Sequence, residues 1–191
     1  MAEKKSILVL ASKADVRDGS NIAALMKKGV LIPYTPGALL AQAEKVECAV
    51  KAEPGKVAAE LEKGRTLILV DLADADDAAL DAALGPILEA VDRHTLIAVA
   101  GRQSLALSGQ GVAKGTEITG NAHAADIIPT IAYVADVLLP PDTTEGRVLY
   151  AALKDPNARL KEIARLRDSV RAMQTAMERD NPTPWGKHDC A

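Results

Sequence analysis

Short apolar runs rich in β-branched residues alternate along the chain with segments of helical periodicity. Four of these runs indicate buried strands: Ser6–Ala11, Val46–Val50, Thr66–Leu72 and Thr95–Ala100. Each run is apolar on both faces, which is typical of strands in a parallel sheet that helices cover on both sides. The pattern therefore predicts a three-layer α/β/α domain with a mainly parallel sheet.

Capping and stop signals place helices between these runs. The first is predicted at Asn21–Lys28, with Ser20 as its N-cap and Gly29 as its stop. Four more are predicted at Gly37–Lys45, Gly55–Lys63, Asp76–Asp92 and Ala124–Val137. Pro86 should break or kink one of them, because it cannot donate a helical hydrogen bond. The glycine-rich stretch Ser108–Gly120 is predicted to be a loop or hairpin.

The segment 157–179 has a different pattern from the rest of the chain. Its apolar residues recur at alternating spacings of three and four, at Ile163, Leu166, Val170, Met173 and Met177. This spacing predicts one long amphipathic helix. Two interpretations stay open: the helix packs on its own domain, or it forms a seam with a second copy or another protein. The predicted organisation is a compact domain at 1–153, a helix at 154–180 and an irregular tail at 181–191.

Composition narrows the class of protein. A chain of 191 residues supports one substantial core plus a tail. Its 23 basic and 26 acidic residues are spread along the sequence, so we expect no nucleic-acid partner. No run of about 18 apolar residues occurs, so we expect no membrane segment. The two cysteines, Cys48 and Cys190, do not make a disulfide framework, and they indicate a reducing, cytoplasmic environment.

Several segments carry motifs of a known superfamily. Residues 125–131 read A-D-I-I-P-T-I, residues 137–149 read V-L-L-P-P-D-T-T-E-G-R-V-L, and residues 109–115 read G-Q-G-V-A-K-G. These segments resemble C-terminal signatures of the alkaline phosphatase superfamily, which includes nucleotide pyrophosphatases, sulfatases and phosphoglycerate mutases. The resemblance covers 66–149 and, more weakly, 6–35. It implies a compact version of that fold and does not extend to the final helix or the tail.

The resemblance also implies a site with two metal ions, usually zinc or manganese, and a hydroxyl or formylglycine nucleophile. The nucleophile's position matches Thr35, which equally suits a helix N-cap before Pro36. One carboxylate ligand matches Asp74 and the late histidine ligand matches His123, although both also fit structural roles at helix starts. The superfamily's D-H-G motif matches the R-Q-S of residues 102–104. An arginine cannot ligate a metal cation, and its charge would oppose one.

These matches predict a degenerate superfamily member that lacks the dinuclear site. Arg102 and Gln103 then become candidates for binding an anion. Asp15 and Asp18 lie near the position of the superfamily's first metal-binding aspartate, but in a different register. No cofactor is expected, and the alternative is a single zinc or manganese ion near Asp74 and His123.

The tail carries a second chemically distinctive group. His188 and Cys190 are metal-ligand types two residues apart, with Asp189 between them, and an imidazole can activate a nearby thiol. A polar chain end with a free cysteine would have the same composition. The tail therefore stays a candidate metal or redox site.

Three functions follow from these candidates. The first is a binding or assembly protein that forms a homo-oligomer or binds a protein partner through 157–179. The second is a reduced hydrolase of phosphate or sulfate esters, with Thr35, Asp74 and His123 around one metal ion. The third is a metal or redox accessory protein that uses the tail. No dinucleotide-binding or P-loop glycine motif occurs.

Overall fold

The computed structural model describes residues 4–115, 118, 120–140, 145–155 and 157–180. It divides into an α/β unit that ends at Asp155 and a C-terminal unit that begins at Pro156. The strands of the α/β unit are β1 Lys5–Leu10, β2 Gly29–Thr35, β3 Ala49–Lys51, β4 Leu67–Asp71, β5 Thr95–Ala100, β6 Ser104–Gly109 and β7 Ala122–His123. The helices are α1 Ser20–Met26, α2 Leu39–Glu44, α3 Val57–Glu62, α4 Asp77–Ala90, α5 Ala124–Ala135 and, in the C-terminal unit, α6 Ala158–Asp180.

The strands form one mixed sheet in the order β3-β4-β1-β5-β6-β2-β7. Neighbouring strands are parallel except at β6, which runs antiparallel to both β5 and β2. Because β6 reverses the direction twice, β2 and β7 run the same way as β1, β4 and β5. The predicted α/β fold with a mainly parallel sheet is therefore confirmed.

Helices cover both faces of the sheet. On one face, Ile7 and Val9 of β1 join a buried apolar cluster with Leu80 and Leu84 of α4. On the other face, α5 contacts β1 and β5, and α2 packs against α5. Leu8, which points away from the first cluster, is also fully buried. Burial on both faces explains why the central strands are apolar at every position.

The predicted strands at β1, β4 and β5 are confirmed, but three strands, β2, β6 and the two-residue β7, were not predicted. The strand β2 alternates buried and exposed residues and contains Pro33, which lacks the N–H that a ladder needs. The strand β6 forms a hairpin with β5, and its residues fell partly inside the predicted loop at 108–120. The strand predicted at 46–50 corresponds to β3, which begins later, at Ala49. The residues between α2 and β3 form a turn instead.

The structure tests two details of the predicted helices, and the predicted cap of the first helix is wrong. Ser20 is the first residue of α1 and does not cap it. Instead, the Asp81 carboxylate of α4 accepts hydrogen bonds from the N–H groups of Asn21 and Ile22, each at 2.9 Å. Of the two effects predicted for Pro86, a break does not occur, since α4 continues through this residue to Ala90.

The A-D-I-I-P-T segment of α5 binds the chain around residue 147. The buried carboxylate of Asp126 accepts hydrogen bonds from the N–H groups of His123 at 3.0 Å and Arg147 at 2.9 Å. Thr130 Oγ1 donates to the Asp126 carbonyl at 2.7 Å and accepts from the Leu149 N–H at 2.9 Å. The segments 125–131 and 145–149 are therefore joined by hydrogen bonds. Asp126 and Thr130 have a structural role in this contact.

Gly146 lies where this second segment crosses the start of α5. A Cβ atom at this position would lie 1.9 Å from the Ala125 carbonyl oxygen and 2.7 Å from the Asp126 nitrogen. Both neighbours are backbone atoms, so they cannot move aside without shifting the helix. The approach of the two segments therefore requires glycine.

Replacing Gly146 with alanine should destabilise the α/β unit by about 2 kcal/mol or more, because the new methyl group must displace backbone. Gly55→Ala is the matched control, since a Cβ at Gly55 would meet no atom within 4 Å. Urea unfolding curves of the two variants measure the difference. Equal midpoints would contradict the close packing of the two segments.

Candidate functional site

Four of the candidate residues lie at one edge of the sheet. Thr35 ends β2 and His123 ends β7, while Arg102 follows β5 and Asp74 follows β4. These strands all run in the same direction, so their carboxyl ends meet at this edge. Open α/β sheets bind their ligands at the carboxyl ends of the strands. This carboxyl edge is therefore the candidate functional site.

At the centre of the carboxyl edge, a buried aspartate binds the turn between β5 and β6. Asp15, on the loop after β1, has a side chain only 6% exposed. Its Oδ1 accepts hydrogen bonds from the Gln103 N–H at 2.8 Å and from Ser104 Oγ at 3.2 Å. Its Oδ2 accepts one from Arg102 Nη2 at 3.3 Å. Ser104 Oγ in turn accepts from the Val16 N–H at 3.0 Å, which ties the loop to the turn a second time.

The surroundings of Asp15 keep it ionised. Burial raises the pKa of this carboxyl, but the hydrogen bonds from the Gln103 N–H, Ser104 and Arg102, together with the Arg102 charge, outweigh burial and lower the pKa below its ordinary value. The charged carboxylate is thus the form that the folded protein stabilises.

Arg102 and Gln103, the predicted anion-binding residues, consequently contact an acid of this chain. The Gln103 N–H and one Arg102 nitrogen bind Asp15, and Arg102 keeps a side chain that is 62% exposed. Binding of an external anion by Arg102 and Gln103 stays a prediction. The role of Asp15 was not predicted, because its position in the sequence matched the superfamily aspartate only in a shifted register.

A second polar group lies further along the carboxyl edge. Thr35 and His123 face each other in the parallel pair of β2 and β7, and both are exposed. Asn121 Nδ2 donates a hydrogen bond to Thr35 Oγ1 at 2.5 Å, and Arg147 Nη2 donates to the Asn121 carbonyl at 3.3 Å. The structure therefore brings Thr35 and His123 together.

Asp74 does not join this group. Its side chain is 91% exposed and pairs with Lys13 at 2.5 Å. The strands that precede Asp74 and His123, β4 and β7, are five positions apart in the sheet, which corresponds to about 24 Å. One ion could not bind both residues across that distance. Within the described residues, no group of three or more His, Cys, Asp or Glu side chains is placed to hold a metal ion.

His188 and Cys190 lie outside the described residues, so the candidate tail site stays a prediction. Among the helices that the structure describes, none is both long and apolar enough to cross a membrane. Comparisons with protein-family models and with curated proteins gave no match. The fold and the carboxyl edge define an α/β protein in which the buried Asp15 is bound by the turn between β5 and β6.

Asp15→Asn should destabilise the protein by about 2 kcal/mol at neutral pH, because an amide cannot replace a carboxylate that accepts from three donors. Asp15 has a lowered pKa in the folded state, so its contribution is present above the ordinary value of 3.8 and is lost as the pH falls through the folded value. The difference in unfolding free energy between wild type and variant should therefore shrink below about pH 4.

Asp18→Asn is the control for this measurement, since Asp18 is exposed and makes no hydrogen bond or ion pair with the described residues. It should change stability by less than about 0.5 kcal/mol at either pH. If Asp15→Asn behaved like Asp18→Asn in denaturant titrations at both pH values, the central role of the buried carboxylate would be wrong.

Proposed function

We propose that this chain is a non-hydrolytic relative of the alkaline phosphatase superfamily that acts as a binding or assembly protein through α6. The observation that carries the proposal is the pair of Asp15 and Arg102. In a metal-dependent hydrolase, acids at such an edge hold cations that activate the nucleophile. In this chain a guanidinium supplies the positive charge to the buried acid, and it cannot activate a hydroxyl as a metal ion does.

The placement of the remaining candidates supports the same proposal. Metal-assisted ester hydrolysis needs a nucleophile within reach of the metal ligands. Thr35 lies beside His123, but the carboxylate of Asp74 is bound to Lys13 on a distant part of the carboxyl edge. A single-metal hydrolase built from Thr35, Asp74 and His123 is therefore less well supported than a protein without hydrolytic activity.

The exposed face of α6 supports a role in assembly. The apolar residues of this face are between 44% and 67% exposed: Ile163, Leu166, Val170, Met173 and Met177. Leu160, on the preceding turn, is 65% exposed. A continuous apolar stripe of this kind marks a surface that binds another protein. The helix therefore supplies a docking surface that does not depend on chemistry at the carboxyl edge.

The purified full chain should show no metal-dependent hydrolysis of aryl phosphates or aryl sulfates with added zinc or manganese. Thr35→Ala should leave any residual turnover unchanged, as should the control Thr175→Ala on α6. Spectrophotometric assays with metal analysis of the same samples test this expectation. Metal-dependent turnover that Thr35→Ala abolishes and Thr175→Ala preserves would contradict the proposal.

A further inference from the structure

The apolar stripe of α6 has the residue types of a two-stranded coiled coil. In a heptad assignment, Ile163, Val170 and Met177 occupy a positions. Leu166 and Met173 occupy d positions. Within parallel coiled coils, β-branched residues at a with leucine at d favour two helices over three or four. The first two layers, Ile163 and Val170 at a with Leu166 between them, follow this preference.

Charged residues beside the stripe distinguish the possible alignments. Glu162 occupies a g position and Arg167 occupies the next e position. In a parallel, in-register pair, each g residue contacts the following e residue of the other helix. Two Glu162–Arg167 ion pairs would therefore form, one on each side of the seam.

Arg167 is exposed, whereas the Glu162 side chain is only 18% exposed. Arg167 makes no ion pair or hydrogen bond with the described residues. Glu162 accepts from Arg165 within the same helix, at 3.0 Å from Nε and 2.7 Å from Nη2. A carboxylate has about four acceptor positions, so Glu162 can accept from Arg165 and from a second helix together.

An antiparallel alignment places like charges together. When a residues pack against d residues of a reversed helix, Ile163 lies opposite Met173 and Leu166 lies opposite Val170. In that arrangement e positions face e positions, so the two Arg167 side chains meet. The repulsion between them disfavours this antiparallel register relative to the parallel, in-register pair.

We propose that the chain self-associates through a parallel, in-register pair of α6 helices, with Glu162 of each copy bound to Arg167 of the other. This inference rests on the proposed function, since it names the partner of the same docking surface. It adds an orientation and a register, which can be tested independently of any activity.

Disulfide crosslinking tests the orientation in the full chain. In a Cys48→Ser, Cys190→Ser background, Met173→Cys should form a covalent dimer with oxidised glutathione, because d positions of a parallel pair lie side by side. The control Thr175→Cys lies on the outer face and should not crosslink. In the antiparallel alignment, the two copies of residue 173 would lie ten residues apart along the axis, about 15 Å. Absence of a Met173→Cys dimer, or equal crosslinking of both variants, would overturn the proposal.

Sedimentation equilibrium with charge variants tests the register. Arg167→Gln removes two ion pairs and should weaken self-association about fivefold, whereas in an antiparallel pair it would relieve repulsion and strengthen association. Arg167→Glu should weaken it further, and Glu162→Lys combined with Arg167→Glu should restore part of the loss. A chain that stays monomeric at high concentration would overturn the pairing without affecting the non-hydrolytic assignment. Ester hydrolysis by a chain that forms the parallel dimer would overturn the non-hydrolytic assignment without affecting the pairing.

Discussion

Peptide N–H groups that no strand or helix hydrogen bond satisfies need other acceptors, and in this protein three aspartate carboxylates serve several of them. Asp15 accepts from the Gln103 N–H, Asp81 from the first N–H groups of α1, and Asp126 from the N–H groups of His123 and Arg147. Each carboxylate joins segments that secondary structure leaves separate. An unsatisfied buried N–H is costly, so these few contacts determine how the connections around the sheet are arranged.

The same constraint determines what can neutralise the buried Asp15 carboxylate at the carboxyl edge. A buried carboxylate can be neutralised by a metal ion or by donors of the protein. Asp15 has donors from three consecutive residues of one turn, and they include a cation. A metal ion would have to displace these contacts and also approach the positive charge of Arg102. The hydrogen bonds that hold Asp15 in place thus compete with any cation for its carboxylate oxygens.

The sequence predicted those parts of the fold that depend on local burial. Strands β1, β4 and β5 are apolar on both faces, so their identity follows from composition alone. The strands β2 and β6 carry weaker local signals, and their pairing is a tertiary property. The capping of α1 by Asp81 could not be predicted either, because the donor and acceptor lie 59 and 60 residues apart in the chain.

For the candidate site, the sequence identified individual residues but not which of them are neighbours in space. The motif comparison located residues 102–104, but the acid that they bind was found only when β1 and β5 were placed side by side. Thr35 and His123 are neighbours because β2 and β7 pair, and that pairing has no signal in either segment alone.

The helix α6 differs from the rest of the fold. Its apolar spacing can be read from the sequence alone, but the residues of its apolar stripe do not pack in the core. Most of its surface is polar, and pairs such as Glu162 with Arg165 support it as a helix. Its apolar residues therefore add little to the stability of the single helix while they stay exposed, and their favourable free energy is gained only when water is excluded from them. The proposed pairing with a second helix would supply that exclusion, because it covers the stripe and leaves the flanking charges at its border.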